Sequence, residues 1–338
     1  MTNDRTNIHV LAPGRVNLIG DHTDYTGGLV LPMAIDRYTE IRGTRTGDRV
    51  QLTSFDEALP VDVPLVIERP QDIEPAWGKY VAGVVSEMDN PHGFHGHVTT
   101  DIPIGAGLSS SAALEVAVAL ALGFTGTPLE LAQLCQRAEN RASGVPSGIM
   151  DQLAIAAGIA GHALMIDCGE LTVEPVAIPR GVEIVVQFIE HRTLIGSPYA
   201  DRVAECAEAE RLIGPLRHTT IAKAKTIADP VIRARAMHVT SENRRVVDFA
   251  DAIANGDLRE AGRLMVQSHT SLREWYRTST RSMDAAVAEV CATPGVFGAR
   301  MTGGGFGGCL VALTEPGALL SGWVVRAVGG ACIARETE

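Results

Sequence analysis

A glycine- and serine-rich turn that leads into an apolar helix constrains the fold more than any other stretch of the sequence. Residues 101–113 read DIPIGAGLSSSAA, and the segment before the turn, residues 96–102, has the pattern of a short strand. The apolar residues that follow are spread around the circumference of a helix: Leu114, Val116, Val118, Leu120 and Leu122. A helix that is apolar on every side lies in a core, so its first turn is held rigidly.

The free N–H groups at the start of this helix predict an anion site. Together with the helix dipole they attract negative charge, and the hydroxyls of Ser109, Ser110 and Ser111 can bond phosphate oxygens or ligate a hard cation. The turn is not a Walker A loop, because no Lys-Ser or Lys-Thr pair follows the glycines. The alternative is a turn that only lets a helix pack closely. Phosphate binding is the interpretation that we favour.

The composition indicates a globular chain with two domains and argues against several classes of function. With 338 residues, of which 46% are hydrophobic and 20% charged, the chain is long enough for two cores. The net charge of −11 argues against binding to nucleic acid or to an anionic membrane. No apolar run is long enough to span a bilayer, and residues 1–10 lack the apolar centre of a secretory signal. We therefore expect a cytoplasmic protein.

The six cysteines predict neither a disulfide nor a zinc site. They are Cys135, Cys168, Cys206, Cys291, Cys309 and Cys332. None of them forms a Cys-x-x-Cys pair or a Cys/His metal spacing, and scattered cysteines of this kind usually serve as small buried hydrophobic residues.

A short polar loop near the N-terminus has the composition of a sugar- or polyol-binding site. It places Asp21, His22 and Asp24 within four residues, with glycines around them and apolar flanks. Two carboxylates and an imidazole can bond several hydroxyl groups, and Arg15 upstream is a permanently charged donor suited to phosphate. The alternative is a solvated polar turn at the surface. The density of hydrogen-bonding groups favours ligand binding.

A further candidate carboxylate, Asp151, follows a loop rich in glycine, proline and serine at residues 143–150. It lies at or just inside the start of a short apolar helix, where a carboxylate either serves a ligand or simply caps the helix. Upstream, Thr127 and Glu130 form a capping box with proline between them. The helix that begins there has Glu139 near its end, one step off the buried face.

The rest of the chain divides into β-rich and helical stretches. Residues 34–67 alternate in short strand-like runs, residues 163–178 read as a hairpin and residues 182–189 as another strand. Residues 199–293 are mostly helical. A second glycine-rich turn at residues 301–308 lies between two strands, and we expect a closing helix over residues 316–334.

Three motifs in fixed order resemble the GHMP family of small-molecule kinases, and within it the galactokinases. Residues 14–25 (GRVNLIGDHTDY) resemble the sugar-binding signature, residues 103–112 the ATP loop and residues 302–309 the third, glycine-rich motif. Residues 148–152 (GIMDQ) match the segment that holds the catalytic aspartate, and residues 197–202 (SPYADR) resemble the segment with a sugar-contacting tyrosine. Residues 268–273, with Asp284 beyond them, also follow the family pattern. The resemblance covers nearly the whole chain.

This resemblance implies an α+β fold of two lobes with the active site in the cleft between them. The N-terminal lobe, residues 1–180, would be like the second domain of ribosomal protein S5 and would carry the signature loop and the ATP loop. The C-terminal lobe, residues 181–338, would be ferredoxin-like and would carry the third motif. The implied ligands are ATP, Mg²⁺ and a small sugar. We expect a monomer without nucleic-acid or membrane partners.

The resemblance also implies a role for each motif residue. The residues implied to hold the sugar are Asp21, His22, Thr23, Asp24, Gly148 and Tyr199. Those implied to bind the nucleotide are Gly105, Ala106, Gly107, Leu108, Ser109, Ser110 and Ser111, with Ser54 and Trp77 beside them. Ser111 and Glu139 would hold Mg²⁺. Asp151 would accept the proton of the C1 hydroxyl while Arg15 stabilises the γ-phosphoryl group, so that galactose and ATP give galactose 1-phosphate.

Several departures from the family pattern leave the identity of the sugar open. Asp21 stands where the family usually has glutamate, Ala106 where glycine is common, and the His191-Arg192 pair and Phe188 replace more polar or reordered residues before Tyr199. The shorter carboxylate of Asp21 changes the reach toward C6 of the sugar. It therefore permits a 1-kinase for a related sugar such as arabinose, galactosamine or fucose. The other alternative is a non-catalytic sugar-sensing relative, against which the intact serine run, Arg15 and Asp151 argue.

Overall fold

The computed structural model describes residues 6–192 and 197–334, and within these ranges the chain forms 13 strands and nine α-helices. The strands are β1 (Thr6–Asn17), β2 (Leu29–Val30), β3 (Pro32–Arg45), β4 (Arg49–Ser54), β5 (Val61–Pro64), β6 (Phe94–Thr100), β7 (His162–Asp167), β8 (Thr172–Ala177), β9 (Glu183–Glu190), β10 (Val296–Met301), β11 (Gly308–Thr314), β12 (Trp323–Val325) and β13 (Cys332–Ile333). The helices are α1 (Gly78–Glu87), α2 (Ser110–Ala121), α3 (Pro128–Ser143), α4 (Met150–Ala157), α5 (Tyr199–Ile213), α6 (Ile221–Ala224), α7 (Pro230–Ala254), α8 (Leu258–Ser271) and α9 (Arg281–Cys291). Residues 1–5, part of the stretch that bears on a secretory signal, lie outside the described ranges.

The described strands form three sheets. The largest has the order β13-β1-β3-β6-β4-β5, and its neighbours are antiparallel except for β4 and β6. The second has the order β10-β11-β9-β12 and is antiparallel throughout. The third joins β2 to the β7–β8 hairpin, which confirms the hairpin predicted at residues 163–178.

Side-chain alternation in the second sheet separates two apolar cores. Along β11, Val311 and Leu313 belong to the larger core, which also contains the first sheet and α1 to α4. Leu310 and Ala312, which point to the opposite face, belong to a smaller core with α5, α7 and α9. No helix in the described ranges is long and apolar enough to cross a membrane.

Helix α2 is enclosed on every side, as its sequence predicts. It packs against β1, β3, α1, α3 and α4. Its residues from Ala112 to Ala119 are buried, including the carboxyl side chain of Glu115, which is 0% exposed. The glycine-rich turn before this helix is therefore anchored to the centre of the larger core.

Helix α3 begins at the predicted capping box. The Thr127 hydroxyl accepts from the Glu130 N–H, and the Glu130 carboxylate accepts from the Thr127 N–H at 2.7 Å. The predicted buried face is also confirmed, since Leu131, Leu134, Cys135 and Ala138 are all buried. This register places Glu139 beside the start of α2.

The closing helix expected over residues 316–334 is wrong. Strand β12 pairs with β9 in the second sheet, and β13 pairs with β1 at the edge of the first. Gly317 and Gly322 have φ of 73° and 99°, which interrupts a helix, and the Trp-Val-Val run of β12 favours a strand. The last described residues thus return to the first sheet. The division of the lobes at residue 180 stays a prediction.

Candidate active site

The turn before α2 holds the helix start open for an anion. Gly105 and Gly107 have φ of 75° and 83°, which glycine adopts without strain, and Ser109 has φ of 62° although it is not a glycine. Ser109 occupies the N-cap position, but its side chain makes no capping bond. Its hydroxyl donates instead to Asp151. The first N–H groups of α2 are therefore free of a capping side chain, which is the condition for binding phosphate there.

A bidentate ion pair between Arg15 and Asp151 joins β1 to the first turn of α4. Arg15 Nε donates to Asp151 Oδ1 at 2.8 Å and Arg15 Nη2 donates to Oδ2 at 2.7 Å. The remaining nitrogen, Nη1, donates to the Gly107 carbonyl at 2.6 Å. Arg15 is 2% exposed and Asp151 28%, so the carboxylate reaches solvent at the mouth of the site. The N-cap position of α4 is Ile149, and Asp151 lies in the first turn of the helix.

Glu139 lies among hydroxyl and amide donors at the start of α2. Ser111 Oγ donates to Glu139 Oε1 at 3.1 Å, and Ser147 Oγ and Gln152 Nε2 donate to Oε2 at 3.2 and 2.7 Å. Burial raises the pKa of Glu139, and the nearby Asp151 carboxylate raises it further. A bound cation would offset the unfavourable burial of this carboxylate. The hydroxyl oxygen of Ser111 and the carboxylate oxygens of Glu139 are ligands of the kind that Mg²⁺ prefers.

A cavity of about 650 Å³ opens in front of these groups. Of the expected nucleotide and metal residues, its lining contains Ser54, Trp77, Gly105, Gly107, Ser109, Ser110, Ser111 and Glu139. Ala106 and Leu108 are not part of the lining, because their side chains are 0% and 1% exposed and pack in the core. These two residues therefore support the turn from within the core and are not exposed to a ligand in this cavity.

Asp24 and Gly148 contact each other near Asp151. A Cβ built on Gly148 would overlap the Asp24 carboxylate, so only glycine fits at position 148. Burial raises the pKa of Asp24 to about 7, and the neighbouring Asp151 adds to the shift. Both residues line a second cavity of about 430 Å³, whose other polar groups include Gln133, Gln136 and Asn140 of α3.

His22 lies in a cluster of aromatic rings with Tyr25, Tyr199 and Tyr276. The His22 ring centroid is 5.5 Å from that of Tyr199 and 4.7 Å from that of Tyr276. Tyr199, the first residue of α5, is 7% exposed. The cluster brings the expected sugar residue of the C-terminal half against the signature loop.

Comparisons with known proteins agree with this arrangement. The galactokinase galactose-binding signature matches residues 2–44, the GHMP kinases N terminal domain residues 79–159 and the GHMP kinases C terminal domain residues 249–320. The galactokinase of Chloroflexus aggregans is 42% identical over 93% of this chain and 87% of its own length. That of Homo sapiens is 41% identical over 91% of this chain and 84% of its own length.

This chain belongs to the galactokinase family of GHMP kinases. A crystal structure of Lactococcus lactis galactokinase complexed with galactose is 31% identical and has a TM-score of 0.89, covering 96% of this chain and 95% of that one. The predicted family and the predicted α+β fold class are thereby confirmed. The three domain matches contain the signature loop, the ATP loop with Glu139 and Asp151, and the third glycine-rich motif.

Within this galactokinase-family site, Asp21 and Thr23 already have protein partners. Asp21 Oδ2 accepts from Arg300, and Asp21 Oδ1 accepts from the Gly303 N–H at 3.0 Å. The Thr23 hydroxyl faces the carbonyls of Gly20 and Leu29 at 2.8 and 2.6 Å. Asp21 is 1% exposed and Arg300 0%. Both oxygens of the Asp21 carboxylate are thus bonded, one to Arg300 and one to the third glycine-rich motif. The sequence alone predicts, by contrast, that this carboxylate is available to the sugar.

Arg192 is a functional candidate that the sequence analysis did not assign. Its guanidinium lies against two glycine motifs, since a Cβ on Gly107 would come 3.1 Å from Arg192 Nε and one on Gly303 3.4 Å from Nη2. Its Nη1 is buried without a hydrogen-bond partner in the described part of the chain. Burial lowers the pKa of Arg192, and the neighbouring Arg15 lowers it further. The only signal in the sequence was the unusual His191-Arg192 pair.

The remaining family-like motif stabilises the second sheet. His269 Nε2 lies 3.2 Å from Asp284 Oδ1, and His269 Nδ1 accepts from the Met301 N–H at 3.3 Å. These contacts tie α8 and α9 to the end of β10, directly before the third glycine-rich motif. The motif therefore supports the site without lining either cavity.

Proposed function

We propose that this chain transfers the γ-phosphoryl group of ATP to the C1 hydroxyl of galactose and so makes galactose 1-phosphate. The observation that carries the proposal is the bidentate Arg15–Asp151 pair, which lies between the glycine-rich turn and the signature loop. Family membership at 42% identity supports the same reaction. Phosphoryl transfer depends mainly on positioning and charge stabilisation, which this arrangement supplies.

The nucleotide side of the site consists of the α2 helix start and two arginines. The uncapped N–H groups of α2 and the hydroxyls of Ser110 and Ser111 bind the phosphates of ATP. Arg192 lines the cavity of about 650 Å³, and its buried Nη1 otherwise lacks a partner in the described ranges. Arg15 is 2% exposed and bonds Asp151 and the Gly107 carbonyl, so it contributes its positive charge to the phosphate site without lining the cavity. Arg15 is paired with Asp151, so the unpaired guanidinium of Arg192 favours an anionic ligand here. Ser54 and Trp77 contact the rest of the nucleotide.

Asp151 receives the proton of the acceptor hydroxyl. The C1 oxygen forms its bond to the γ-phosphorus while the bond from that phosphorus to the β–γ bridging oxygen breaks, and ADP leaves. The hydroxyl proton passes to an oxygen of Asp151, which Arg15 and Ser109 hold in place. At 28% exposure this carboxylate lies at the surface of the cavity, where a substrate can reach it.

Ser111 and Glu139 are the residues that would hold Mg²⁺. When bound with ATP, the cation neutralises negative charge on the phosphates. Within the described ranges no group of three His, Cys, Asp or Glu side chains is arranged to hold a metal ion by itself. Further oxygen ligands must therefore come from the nucleotide and from water, which is usual for Mg²⁺.

Asp24, His22, Gly148 and Tyr199 form the sugar side. The Asp24 carboxylate lies against the backbone of Gly148, and burial raises its pKa to about 7. A sugar hydroxyl that donates to this carboxylate would replace the hydrogen bonds to water that burial removes. The argument for a different sugar rested on Asp21, whose carboxylate is bonded to Arg300 and Gly303. Galactose is therefore the substrate that we favour. The cytoplasmic location and the monomeric state stay predictions.

The test is a turnover assay on the purified protein with ATP and a panel of free sugars: galactose, glucose, 6-deoxygalactose, arabinose and galactosamine. We expect ADP release with galactose, and a phosphorus NMR signal of a C1 phosphate ester in the product. The Asp151→Asn variant serves as the matched control for contaminating kinases. ADP release with another sugar but not with galactose contradicts the substrate, and binding of ATP and galactose without turnover contradicts the enzyme.

A further inference from the structure

A buried chain of hydrogen bonds ends on His22. The Tyr25 hydroxyl lies 2.9 Å from His22 Nδ1 and 2.5 Å from the Tyr276 hydroxyl, which lies 3.1 Å from Cys206 Sγ. Tyr276 and Cys206 are 0% and 1% exposed. Tyr276 ends a π-helical turn, Leu272–Tyr276, that directly follows α8. Such turns are rare and occur frequently at functional sites, so the position of Tyr276 indicates a functional role.

The chemistry of the donors sets the direction of this chain. A phenol hydroxyl is a good donor and a neutral imidazole nitrogen a good acceptor, so the Tyr25 O–H donates to His22 Nδ1. Tyr276 then donates to Tyr25, and the Cys206 S–H donates to Tyr276. The reverse direction would end on a thiol sulfur, which is a weak acceptor. With Nδ1 accepting, the neutral His22 ring carries its proton on Nε2.

His22 Nε2 is itself buried and without a hydrogen-bond partner in the ranges that the structure describes. Burial lowers the pKa of His22 well below its usual value, and the charges of His238, Arg192 and Arg202 lower it further, whereas the nearby Gly304 backbone raises it. The Gly304 backbone does not reach hydrogen-bonding geometry with Nε2. The ring is therefore neutral and carries a proton on only one of its two nitrogens. The two nitrogens lie on opposite sides of the ring, so Nε2 faces away from Tyr25. A buried N–H without a partner is costly unless a ligand supplies an acceptor.

We propose that Tyr25 and Tyr276 are positioning residues that hold His22 in the Nε2–H tautomer and direct that N–H to a hydroxyl oxygen of the sugar. The second half of this inference rests on the proposed function, which places His22 beside galactose. Tyr276 also restrains the ring orientation of His22, because its ring lies against those of His22 and His238, with centroids 4.7 and 4.4 Å apart and planes tilted by 40° and 41°. The sugar thus meets a prepared donor and does not have to reorient one.

Nitrogen-15 NMR of the full-length protein labelled on histidine tests the tautomer directly. The chain has 10 histidines, and the His22 signals are assigned by their loss in His22→Gln. We expect wild type to show an unprotonated Nδ1 and a protonated Nε2, and Tyr25→Phe to show a mixture of tautomers. Tyr38→Phe, which removes a phenol hydroxyl away from the site, serves as the matched control. A protonated Nδ1 in the wild type overturns the proposal.

Kinetics test the consequence for the sugar. Tyr25→Phe and Tyr276→Phe should raise KM for galactose by about 5- to 10-fold, the effect of one misdirected hydrogen bond. The kcat and the KM for ATP should stay close to wild type, because the His22 bond is made alike in ground and transition states. In a His22→Gln background, Tyr25→Phe should have no further effect on KM. An equal rise in both backgrounds means that the tyrosines act only through packing, and overturns the proposal.

Two milder variants of Cys206, the last residue of this hydrogen-bond series, test the proposal if a tyrosine variant does not fold. Cys206→Ser keeps a donor to Tyr276 and should retain the wild-type tautomer, whereas Cys206→Ala removes it and should shift the tautomer part-way. Identical NMR spectra of the two variants contradict the relay.

The NMR measurement uses no substrate, so it decides the tautomer even if galactose is not the sugar. If the tautomer changes as expected but His22→Gln leaves KM for galactose unchanged, the direction of the N–H to the sugar is wrong.

Discussion

Arg15 and Asp151 are 136 positions apart in the sequence, yet two parallel N–H···O bonds of 2.8 and 2.7 Å join them. The pair connects β1, which leads into the signature loop, with the helix that follows the Gly148 turn. Arg15 also donates to the Gly107 carbonyl, so the same guanidinium fixes the glycine-rich turn. Bidentate geometry of this kind holds both partners in one orientation. One contact therefore positions both Arg15 and Asp151, the proposed acceptor of the hydroxyl proton.

The first prediction concerns Asp151. Asp151→Ala should lower kcat by about 10²-fold or more, the range of a positioned general base. Because the buried Arg15 loses its counter-charge, the free energy of unfolding should fall as well, so kcat is measured below the unfolding temperature of the variant. Steady-state ADP release measures kcat, and circular dichroism checks the fold. Asp167→Ala, which removes a partly exposed carboxylate from β7 and its ion pair with Arg217, is the control and should keep its turnover. Near wild-type turnover in Asp151→Ala would make Asp151 a structural partner of Arg15 and nothing more.

The second prediction concerns Glu139. Glu139→Gln should raise the Mg²⁺ concentration for half-maximal activity by about 10-fold or more and leave KM for galactose nearly unchanged, because the lost charge serves the cation. Titration of activity with Mg²⁺ at saturating ATP measures the shift. Glu130→Gln lies on the same helix and keeps its capping acceptor, so it is the matched control. Equal titrations of Glu139→Gln and wild type would exclude Glu139 as a ligand.

Local sequence signals predict the parts of the site that one segment builds by itself. The apolar circumference of α2, the Thr127 capping box and the glycines at 105 and 107 determine the helix start without help from distant residues. The expected helix over residues 316–334 is wrong because strand pairing with β9 and β1 decides that segment. Such pairing is invisible in a local pattern. Long-range contacts override propensity there.

Contacts between distant segments are also what the sequence did not show at the site. Arg300 lies before the third glycine-rich motif and gives no sign that it bonds Asp21, 279 positions away. Tyr276 reaches Tyr25 across 251 positions. Arg192 becomes a candidate only when its unpartnered Nη1 is seen beside Gly107. Each case depends on which side chains the fold brings together, and no periodicity or spacing encodes that.

The third prediction concerns Gly148. A Cβ at this position overlaps the Asp24 carboxylate, so Gly148→Ala should displace Asp24 and raise KM for galactose by about 10-fold or more. The effect on KM for ATP should be small, because neither Gly148 nor Asp24 lines the nucleotide cavity. Gly329→Ala, at a glycine with open space around it, is the control and should behave like wild type. An unchanged KM for galactose in Gly148→Ala would remove Asp24 from the sugar site.

The fourth prediction concerns the pH dependence of stability. Burial raises the pKa of Asp24 from 3.8 to about 7, so the folded state holds more protons than the unfolded state between these values. The stability that comes from this neutral form is fully present below about pH 4 and is lost as the pH rises through 7. Asp24→Asn should therefore become more stable relative to wild type, by on the order of 1–3 kcal/mol, between about pH 5 and about pH 8.

Urea unfolding of the sugar-free protein at several pH values measures this difference. Asp48→Asn, at an exposed turn, is the control and should follow the wild-type curve. Parallel curves for Asp24→Asn and wild type would mean that Asp24 is ionised in the folded protein.

The last prediction concerns Asp21. In the structure its carboxylate is bonded to Arg300 and to the Gly303 N–H, at a position that is 1% exposed. Asp21→Glu adds a methylene to this filled space, which should lower the free energy of unfolding by about 1–3 kcal/mol. Because both carboxylate oxygens are occupied, the ratio of kcat/KM for galactose to that for 6-deoxygalactose should stay within about twofold of wild type.

Two readouts separate this anchoring role from recognition of C6. If Asp21 anchors the third glycine-rich motif, Asp21→Asn should weaken the tie to Arg300 and lower stability strongly, since a buried guanidinium then loses its counter-charge. If Asp21 instead reads C6, Asp21→Glu should change the galactose to 6-deoxygalactose ratio by about 10-fold or more, with little change in stability. A large change in that ratio would show that the carboxylate exchanges Arg300 for the sugar on binding, and the anchoring role would then be wrong.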